Sequence, residues 1–380
     1  MQLFHRLVAF IFVAFFAMSL CHAAPIERNY PQPDTPPFWK STVEDLYSTV
    51  HAVKKGTAKA IAISPGGRPV YLVAYGKEVE LQSQANYNSA AAARNPDYYA
   101  KKTESTPPIV YIVGPPHGQE MEGVVGLLNL LHLAETGKDF RGRAWPRLMH
   151  AFAQCRVLII PLANPDGRAR CPYNSFVGLP QKEMTRVGQG TRKDGTLYGW
   201  PGAKQLHPMQ GNVGVLGAYF NDAGINPMHD KFFDPMTQET KAVLDVAREN
   251  APDYIINLHS HGQPAAMIAT EYVPWYCKEI ESRFADRLMK HYAKKDLPGG
   301  RVPTPSKDGE NYPPPSFNLT SALHHVCGAV SMLFECPHGL KEDKYPNVNH
   351  EQILDIQLIL YEELLNFAVE NPRPGRNKDD

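Results

Sequence analysis

The sequence predicts an α/β fold with a mixed, largely parallel central sheet and helices on both faces. Short apolar runs bounded by turn residues alternate along the chain with longer segments of helical periodicity. Such alternation is typical of parallel strands joined by helices that cover the sheet. The predicted strands are residues 60–63, 70–74, 109–113, 157–162, 254–258 and 329–334, and the predicted helices are residues 121–135, 145–153, 238–249, 277–294 and 350–370.

Length and composition indicate one large globular unit. The chain has 380 residues, of which 43% are hydrophobic, so it can bury a sizeable core. Because there is neither an internal repeat nor a long linker, we predict a single domain over residues 24–375, which begins with an extended proline-rich arm at 24–40. The 39 basic and 39 acidic side chains cancel, and no basic stripe stands out, which argues against a nucleic-acid partner. Glycine and proline cluster between residues 164 and 235, and a stretch of that length is often functional.

The N-terminus has the pattern of a cleaved export signal over residues 1–23. Arg6 supplies a positive charge, residues 7–20 are apolar, and a small-x-Ala cleavage site follows at 21–23. The apolar stretch is shorter than the roughly 20 residues that a transmembrane helix needs, so a membrane anchor is the weaker interpretation. We therefore expect a secreted or periplasmic protein with no membrane span once the signal is removed.

Export would permit disulfides among the cysteines of the mature chain. Five of the six cysteines lie beyond the signal: Cys155, Cys171, Cys277, Cys327 and Cys336. An odd number leaves at least one thiol without an intramolecular partner, and the pairs closest in sequence are Cys155 with Cys171 and Cys327 with Cys336. The alternative is that all five are buried as small hydrophobic side chains.

Three of the predicted strands end in side chains that could bind a metal ion or move a proton. In chain order these are His117 with Glu120, His259 with His261, and Glu335. The first pair lies on one helical turn and the second on one strand face, and ligands of α/β sheets bind beyond such strand ends. A catalytic zinc needs three protein ligands and a nearby carboxylate as general base, so the set predicts a zinc site with either His259 or His261 as a ligand. Taken singly, each residue has a simpler alternative, such as a cap, a backbone hydrogen bond or a strand-end salt bridge.

The order of these motifs resembles that of the zinc metallocarboxypeptidases, the carboxypeptidase A/B family. The matching segments are H-G-Q-E (117–120), N-P-D-G (164–167), G-A-Y-F-N-D (217–222), L-H-S-H-G (258–262) and F-E (334–335). The resemblance implies that His117, Glu120 and His259 hold one zinc ion per chain. It also implies that Glu335 is the general base that takes a proton from a zinc-activated water. The N-P-D-G segment becomes a structural turn beneath the site, with glycine there for its backbone geometry.

The chain departs from the family pattern where substrate would bind. The family has Asn-Arg, which grips the terminal carboxylate of a substrate, and this chain has Asn221-Asp222. The usual removal of a C-terminal residue is therefore in question, because a carboxylate repels the anion that an arginine would clamp. Asp222 could instead bind an ammonium or guanidinium group of the substrate, pair with an arginine of the protein, or serve as a turn residue.

Two further family roles are assigned by position. The resemblance implies an arginine downstream of N-P-D-G that stabilises the oxyanion. Arg186 is the first choice and Arg192 the second among candidates that include Arg168 and Arg170. The resemblance also implies a tyrosine that closes over the substrate, and Tyr312 lies near the matching position before the general base.

These features predict a zinc-dependent hydrolase that cleaves a peptide or amide bond, with a peptide or an acylated amine as substrate. One alternative is a zinc-dependent deacylase or amidase of related fold, which would need no carboxylate clamp. Another is a non-catalytic binding module that keeps the fold. The complete set of ligands together with Glu335 argues against the binding module.

Overall fold

The computed structural model describes residues 25–305 and 312–374, so the predicted signal at 1–23 lies outside the described residues. The strands are β1 (Thr57–Ile63), β2 (Pro69–Tyr75), β3 (Ile109–Val113), β4 (Arg156–Ile160), β5 (Tyr254–His261), β6 (Ala266–Ile268) and β7 (Val330–Pro337). The helices are α1 (Val43–His51), α2 (Tyr87–Ala92), α3 (Met121–Thr136), α4 (Pro146–Phe152), α5 (Pro165–Arg170), α6 (Gln181–Gln189), α7 (Gln238–Asn250), α8 (Trp275–Lys294), α9 (Leu319–Cys327) and α10 (His350–Glu370). Short 3-10 turns lie at Pro96–Tyr98, Gly202–Lys204 and Pro227–His229.

The strands of the described residues form a seven-stranded sheet in the order β1-β2-β4-β3-β5-β7-β6. The inner strands β4, β3, β5 and β7 run parallel to one another, while β1, β2 and β6 pair antiparallel with their neighbours. Every residue of β3 is buried, as expected for an inner parallel strand that is covered on both sides. The predicted α/β class, a mixed sheet with a parallel centre, is confirmed.

Alternate residues of the inner strands supply two hydrophobic cores. Val110 and Ile112 of β3 pack into one core with α1, α3, α4, α8 and α10. Tyr111 and Val113 point the other way and pack with α7 and α9. Helices therefore cover both faces of the sheet, as the sequence predicts, and the carboxyl ends of the parallel strands remain available for a site.

The proline-rich arm is packed against the rest of the protein. Residues 25–40 contain no helix or strand, which agrees with the predicted extended arm. The indole Nε1 of Trp39 donates to the carbonyl of Asn174 at 2.6 Å, and Asn29 Nδ2 donates to Glu183 of α6 at 3.1 Å. These contacts join the arm to the segment that carries α5 and α6.

The five cysteines beyond the signal are free thiols, and all of them are buried. The structure therefore supports the alternative in which they act as small hydrophobic side chains, and neither of the pairs closest in sequence forms a disulfide. Among the described residues, no helix combines the length and the apolar character that a membrane span requires.

Candidate metal centre

Strand register brings the predicted residues together at one edge of the sheet. Strands β5 and β7 are paired so that His259 lies opposite Glu335. The loop after β3, which neighbours β5 on its other side, carries His117 and leads into α3 directly after Glu120. Because these three strands are parallel, their carboxyl ends open on the same cleft.

Two imidazoles converge on one carboxylate in this cleft. Nδ1 of His117 lies 2.7 Å from Oε1 of Glu120, and Nδ1 of His259 lies 2.9 Å from Oε2 of the same carboxylate. All three side chains are buried. The ring of His261 points elsewhere, since its Nε2 lies 2.9 Å from the carbonyl oxygen of Pro264. Of the two histidines left open by the strand pattern, His259 is therefore the one that faces the cluster.

The donor set of His117, Glu120 and His259 fits a zinc ion. One potential ligand atom from each residue lies within 4.8 Å of the others. Two neutral imidazoles and one carboxylate are ligand types that zinc prefers, and three protein ligands leave a position open. The second ring nitrogen, Nε2, of each histidine is buried without a hydrogen-bond partner in the protein.

A second group of potential ligands lies on α8 and α10, formed by His291, Glu362 and Glu363. Its carboxylates are already neutralised, because Arg147 Nη1 lies 3.0 Å from Glu362 and 2.7 Å from Glu363. Arg287 binds Glu363 as well. We interpret this group as an ion-pair network that joins two helices rather than as a metal site.

The two carboxyl groups of the cleft differ in their affinity for protons. Burial alone would raise the pKa of Glu120, but the contacts with His117 and His259 lower it to about 2. Burial raises the pKa of Glu335 to about 8, against the opposing charges of His259 and Lys204. Environments that push two carboxyl pKa values apart equip one group as a permanent anion and the other as a proton carrier.

The N-P-D-G segment, predicted as a structural turn beneath the site, forms the start of α5 and supports the loop that carries His117. Asn164 is the N-cap of α5, and its Oδ1 accepts the backbone N–H of Gly167 at 2.9 Å. Its Nδ2 donates to the carbonyl of Pro116 at 3.1 Å, next to His117. A Cβ on Gly167 would overlap the carbonyl oxygen of Ala218, so close approach of the backbone, and not turn geometry, explains this glycine.

Asn221 and Asp222, which the sequence predicts to contact the substrate, are both bound to other side chains of the protein. The carboxylate of Asp222 is buried between Arg170, which binds Oδ1, and Arg68, whose Nη1 lies 3.1 Å from Oδ2. Nδ2 of Asn221 donates to the buried carboxyl of Glu239 at 2.7 Å. Both side chains are thus occupied by other groups of the protein. Pairing with an arginine is the alternative for Asp222 that the structure supports.

Asp166 of the N-P-D-G segment joins Asp222, Arg68 and Arg170 in what we call the buried charge group. It accepts hydrogen bonds from the backbone N–H of Gly66 and from Nη1 of Arg68, both at 2.9 Å. Two positive and two negative side chains cancel, which offsets part of the cost of removing them from water. The group joins the turn between β1 and β2 to α5 and to the segment at 217–222.

Arg186, the first choice for stabilising an oxyanion, is not brought to the cluster in this structure. Its Nε donates to Glu183 at 2.9 Å, and its Nη2 donates to the carbonyl of Glu27 in the arm at 2.6 Å. Arg168 is buried and donates to backbone carbonyls, and Arg192 lies over an aromatic ring. The fourth candidate belongs to the buried charge group, so all four arginines have structural partners.

Three residues that the sequence analysis did not single out contact or face the cluster. The ring of Tyr219 stacks on His117, with centroids 3.8 Å apart and planes inclined by 12°. Lys204 lies on the 3-10 turn at Gly202–Lys204, and its charge acts on Glu335. Burial, helped by the charge of Lys204, lowers the pKa of His229 to about 3, so this imidazole is neutral. All three lie in the glycine- and proline-rich stretch at 164–235, whose unusual length is the signal by which a sequence can point to them.

Tyr312 lies on the surface of the protein. It is 96% exposed, and its predicted closure over a substrate stays a prediction.

The chain belongs to the zinc carboxypeptidase family, whose model matches residues 55–296, more than half of the sequence. A search of curated proteins finds no match. Among solved structures, the fold is similar to a metallo-carboxypeptidase from Burkholderia cenocepacia (TM-score 0.52, 14% identity, covering 86% of this chain and 69% of that chain). It is also similar to a metallo-carboxypeptidase from Pseudomonas aeruginosa in complex with (2-guanidinoethylmercapto)succinic acid (TM-score 0.50, 13% identity, covering 86% and 68%). At these identities the structural comparisons show the shared fold.

Substitutions of Asp222 should act on stability. Asp222→Arg places three arginines around one carboxylate, and we expect it to prevent folding. Asp222→Asn leaves Arg170 without its counter-charge and should lower the free energy of unfolding by about 3–5 kcal/mol, measured by urea denaturation. The exposed Asp234→Asn serves as control and should change it by less than about 0.5 kcal/mol. An Asp222→Asn protein as stable as wild type would contradict a structural role for this pair.

Glu239 should make stability depend on pH. Burial raises the pKa of Glu239 from an ordinary value of 4.5 to about 7, even though Asn221 donates to it. The folded state therefore holds the proton more tightly than the unfolded chain, so stability from this group is complete below pH 4.5 and is lost as the pH rises to 7. Glu239→Gln should match wild type in acid and be more stable at pH 8 by roughly 3 kcal/mol.

Thermal and urea unfolding across this pH range would measure the effect of Glu239→Gln. Glu249→Gln, at an exposed glutamate of the same helix, is the matched control. If wild type and Glu239→Gln lose stability in parallel as the pH rises, the carboxyl of Glu239 is not the group responsible.

Proposed function

We propose that this protein is a zinc-dependent hydrolase that cleaves a peptide or amide bond. The observation that carries the proposal is the convergence of His117, Glu120 and His259, with Glu335 directly opposite His259 on the neighbouring strand. Membership of the zinc carboxypeptidase family supports it. Zinc held by these three residues would polarise the scissile carbonyl and lower the pKa of a water molecule in the cleft.

Glu335 is suited to be the general base and acid. Its Oε2 is buried without a hydrogen-bond partner in the protein, so this oxygen is available to a water molecule or to substrate. Because burial raises the pKa of Glu335 to about 8, the group can both take a proton and return it near neutral pH. We propose that Oε2 accepts a proton from the attacking water and passes it to the leaving amine.

Lys204 is our candidate for the cation that meets the negative charge of the substrate. Its charge acts on Glu335 and Glu120, and partial burial lowers the pKa of its ammonium group. Nζ lies 5.4 Å from the ring centroid of Trp200. An ammonium on a flexible stem is suited to binding a carboxylate of the substrate as a point charge.

A deacylase or amidase is the second candidate function. It is favoured by one observation: the arginines at 168, 170, 186 and 192 are all bonded within the protein, and Asn221 and Asp222 are buried. A substrate without a terminal carboxylate would need no such clamp. We also propose export to a secreted or periplasmic location, on the strength of the N-terminal signal pattern.

Glu335→Gln tests the central proposal. We expect wild type to contain one zinc ion per chain by metal analysis, and the variant to keep its zinc while kcat falls by about 10²–10⁴-fold. Glu239→Gln, which removes a buried carboxyl outside the cleft, should leave kcat unchanged. Absence of zinc from wild type, or full activity in Glu335→Gln, would refute the proposed chemistry.

Lys204→Met separates the two substrate classes. With peptides that carry a free terminal carboxylate, we expect KM to rise by roughly 10–100-fold, because one charged hydrogen bond is lost. The same peptides as terminal amides, and N-acyl amines, should change little, and Lys204→Arg should retain part of the affinity. An equal loss of kcat on all substrates would show that Lys204 acts on the oxyanion, and a wild type that prefers uncharged ends would favour the deacylase.

A further inference from the structure

The ring of Tyr219 lies flat on the imidazole of His117. The ring centroids are 3.8 Å apart, and the planes differ by only 12°. The edge of His117 then meets the ring of His259, with centroids 4.9 Å apart and planes at 69°. The plane of Tyr219 therefore sets the plane of the first imidazole, and the first imidazole limits the rotation of the second.

Among the described residues, no hydrogen bond to Nε2 holds the ring of His117. A metal-binding histidine ordinarily donates its second ring N–H to a carboxylate, a carbonyl or a water, and that bond fixes the orientation of the ring. In this structure Nε2 of His117 is buried and has no partner in the protein. Nδ1 points to Glu120, as a metal ligand should. Stacking on Tyr219 is therefore available to replace a hydrogen bond at Nε2 in orienting the ring.

The hydroxyl and the backbone of Tyr219 are both hydrogen-bonded within the protein. Its hydroxyl accepts a hydrogen bond from Nε2 of Gln189 at 3.3 Å. Its backbone N–H donates to the carbonyl of Gly188 at 2.9 Å, at the end of α6. Three residues further on, Asp222 is fixed by Arg170 in the buried charge group. The segment that carries the ring is thus anchored to α6 and to the buried charge group.

We propose that Tyr219 is a positioning residue for the metal centre: its ring, in place of a hydrogen bond to Nε2, holds the imidazole of His117 in the orientation that binds the metal. The inference rests on the metal site of the proposed function but not on any hydrolytic activity. It also gives the buried charge group a role at the cleft, because that group holds the segment from which Tyr219 projects.

Zinc affinity, measured by competition with a chromophoric chelator, tests the inference directly. Tyr219→Ala should weaken zinc binding by about 10–100-fold, the range typical of groups that orient a metal ligand. Tyr219→Phe keeps the ring and should bind zinc within about twofold of wild type. Gln189→Leu removes the partner of the hydroxyl and should also have little effect. The visible spectrum of the cobalt-substituted protein should change in Tyr219→Ala and stay as in wild type in Tyr219→Phe.

Tyr219→Leu is a second variant for the case in which Tyr219→Ala does not fold. It fills much of the same space without a flat ring, and thermal unfolding of each metal-free variant shows whether the fold is kept. A folded Tyr219→Leu or Tyr219→Ala protein with the zinc affinity of wild type would overturn the inference, as would a Tyr219→Phe protein as weak as Tyr219→Ala. Wild type that binds zinc but hydrolyses nothing would refute the proposed function alone, and wild type that binds no zinc would refute both.

Discussion

The parallel register of β5 against β7 is the constraint on which the rest of this site depends. It sets His259 opposite Glu335, so the proposed metal ligand and the proposed general base lie side by side on neighbouring strands. Side chains alternate between the two faces of a sheet, and a slip of one residue would turn either group into the opposite hydrophobic core. The buried apolar residues of both strands oppose such a slip, so the packing of the core and the geometry of the site are determined together.

The segment at 217–222 forms the other wall of the site, and charge pairing beneath it holds it in place. Asp222 differs from the family's arginine because it serves a different purpose: it neutralises Arg170 and Arg68 beside Asp166. Breaking one partner of such a buried group costs more than the group contributes as a whole, which makes the segment intolerant of change. Above this group, the backbone carries Tyr219 to the face of His117.

The two carboxyl groups of the cleft differ in pKa because their surroundings differ. Glu120 accepts two imidazole contacts, and these hold its pKa at about 2 despite burial. Glu335 faces the same histidine without a hydrogen bond to Oε2, and burial raises its pKa to about 8. The pKa of one glutamate is therefore lowered and that of the other is raised, because only Glu120 lies against two imidazole nitrogens. Lys204 adds a positive charge that acts on both carboxyl groups.

The sequence by itself predicted the fold class, which is confirmed, and named four residues that the structure brings together, because both depend on local patterns. Apolar runs mark the inner strands, and in a parallel sheet the residues that end such runs must meet at one edge, so His117, Glu120, His259 and Glu335 could be named in advance. Tertiary structure alone decided the partners of side chains far apart in the chain. Arg68 and Asp222 are 154 positions apart, and no local pattern shows that their charges cancel inside the protein. For the same reason the contact of Arg186 with Glu27 in the arm could not be predicted from the sequence. Tyr219 and Lys204 lie in segments without periodicity, so their places near the cluster became visible only in the folded structure.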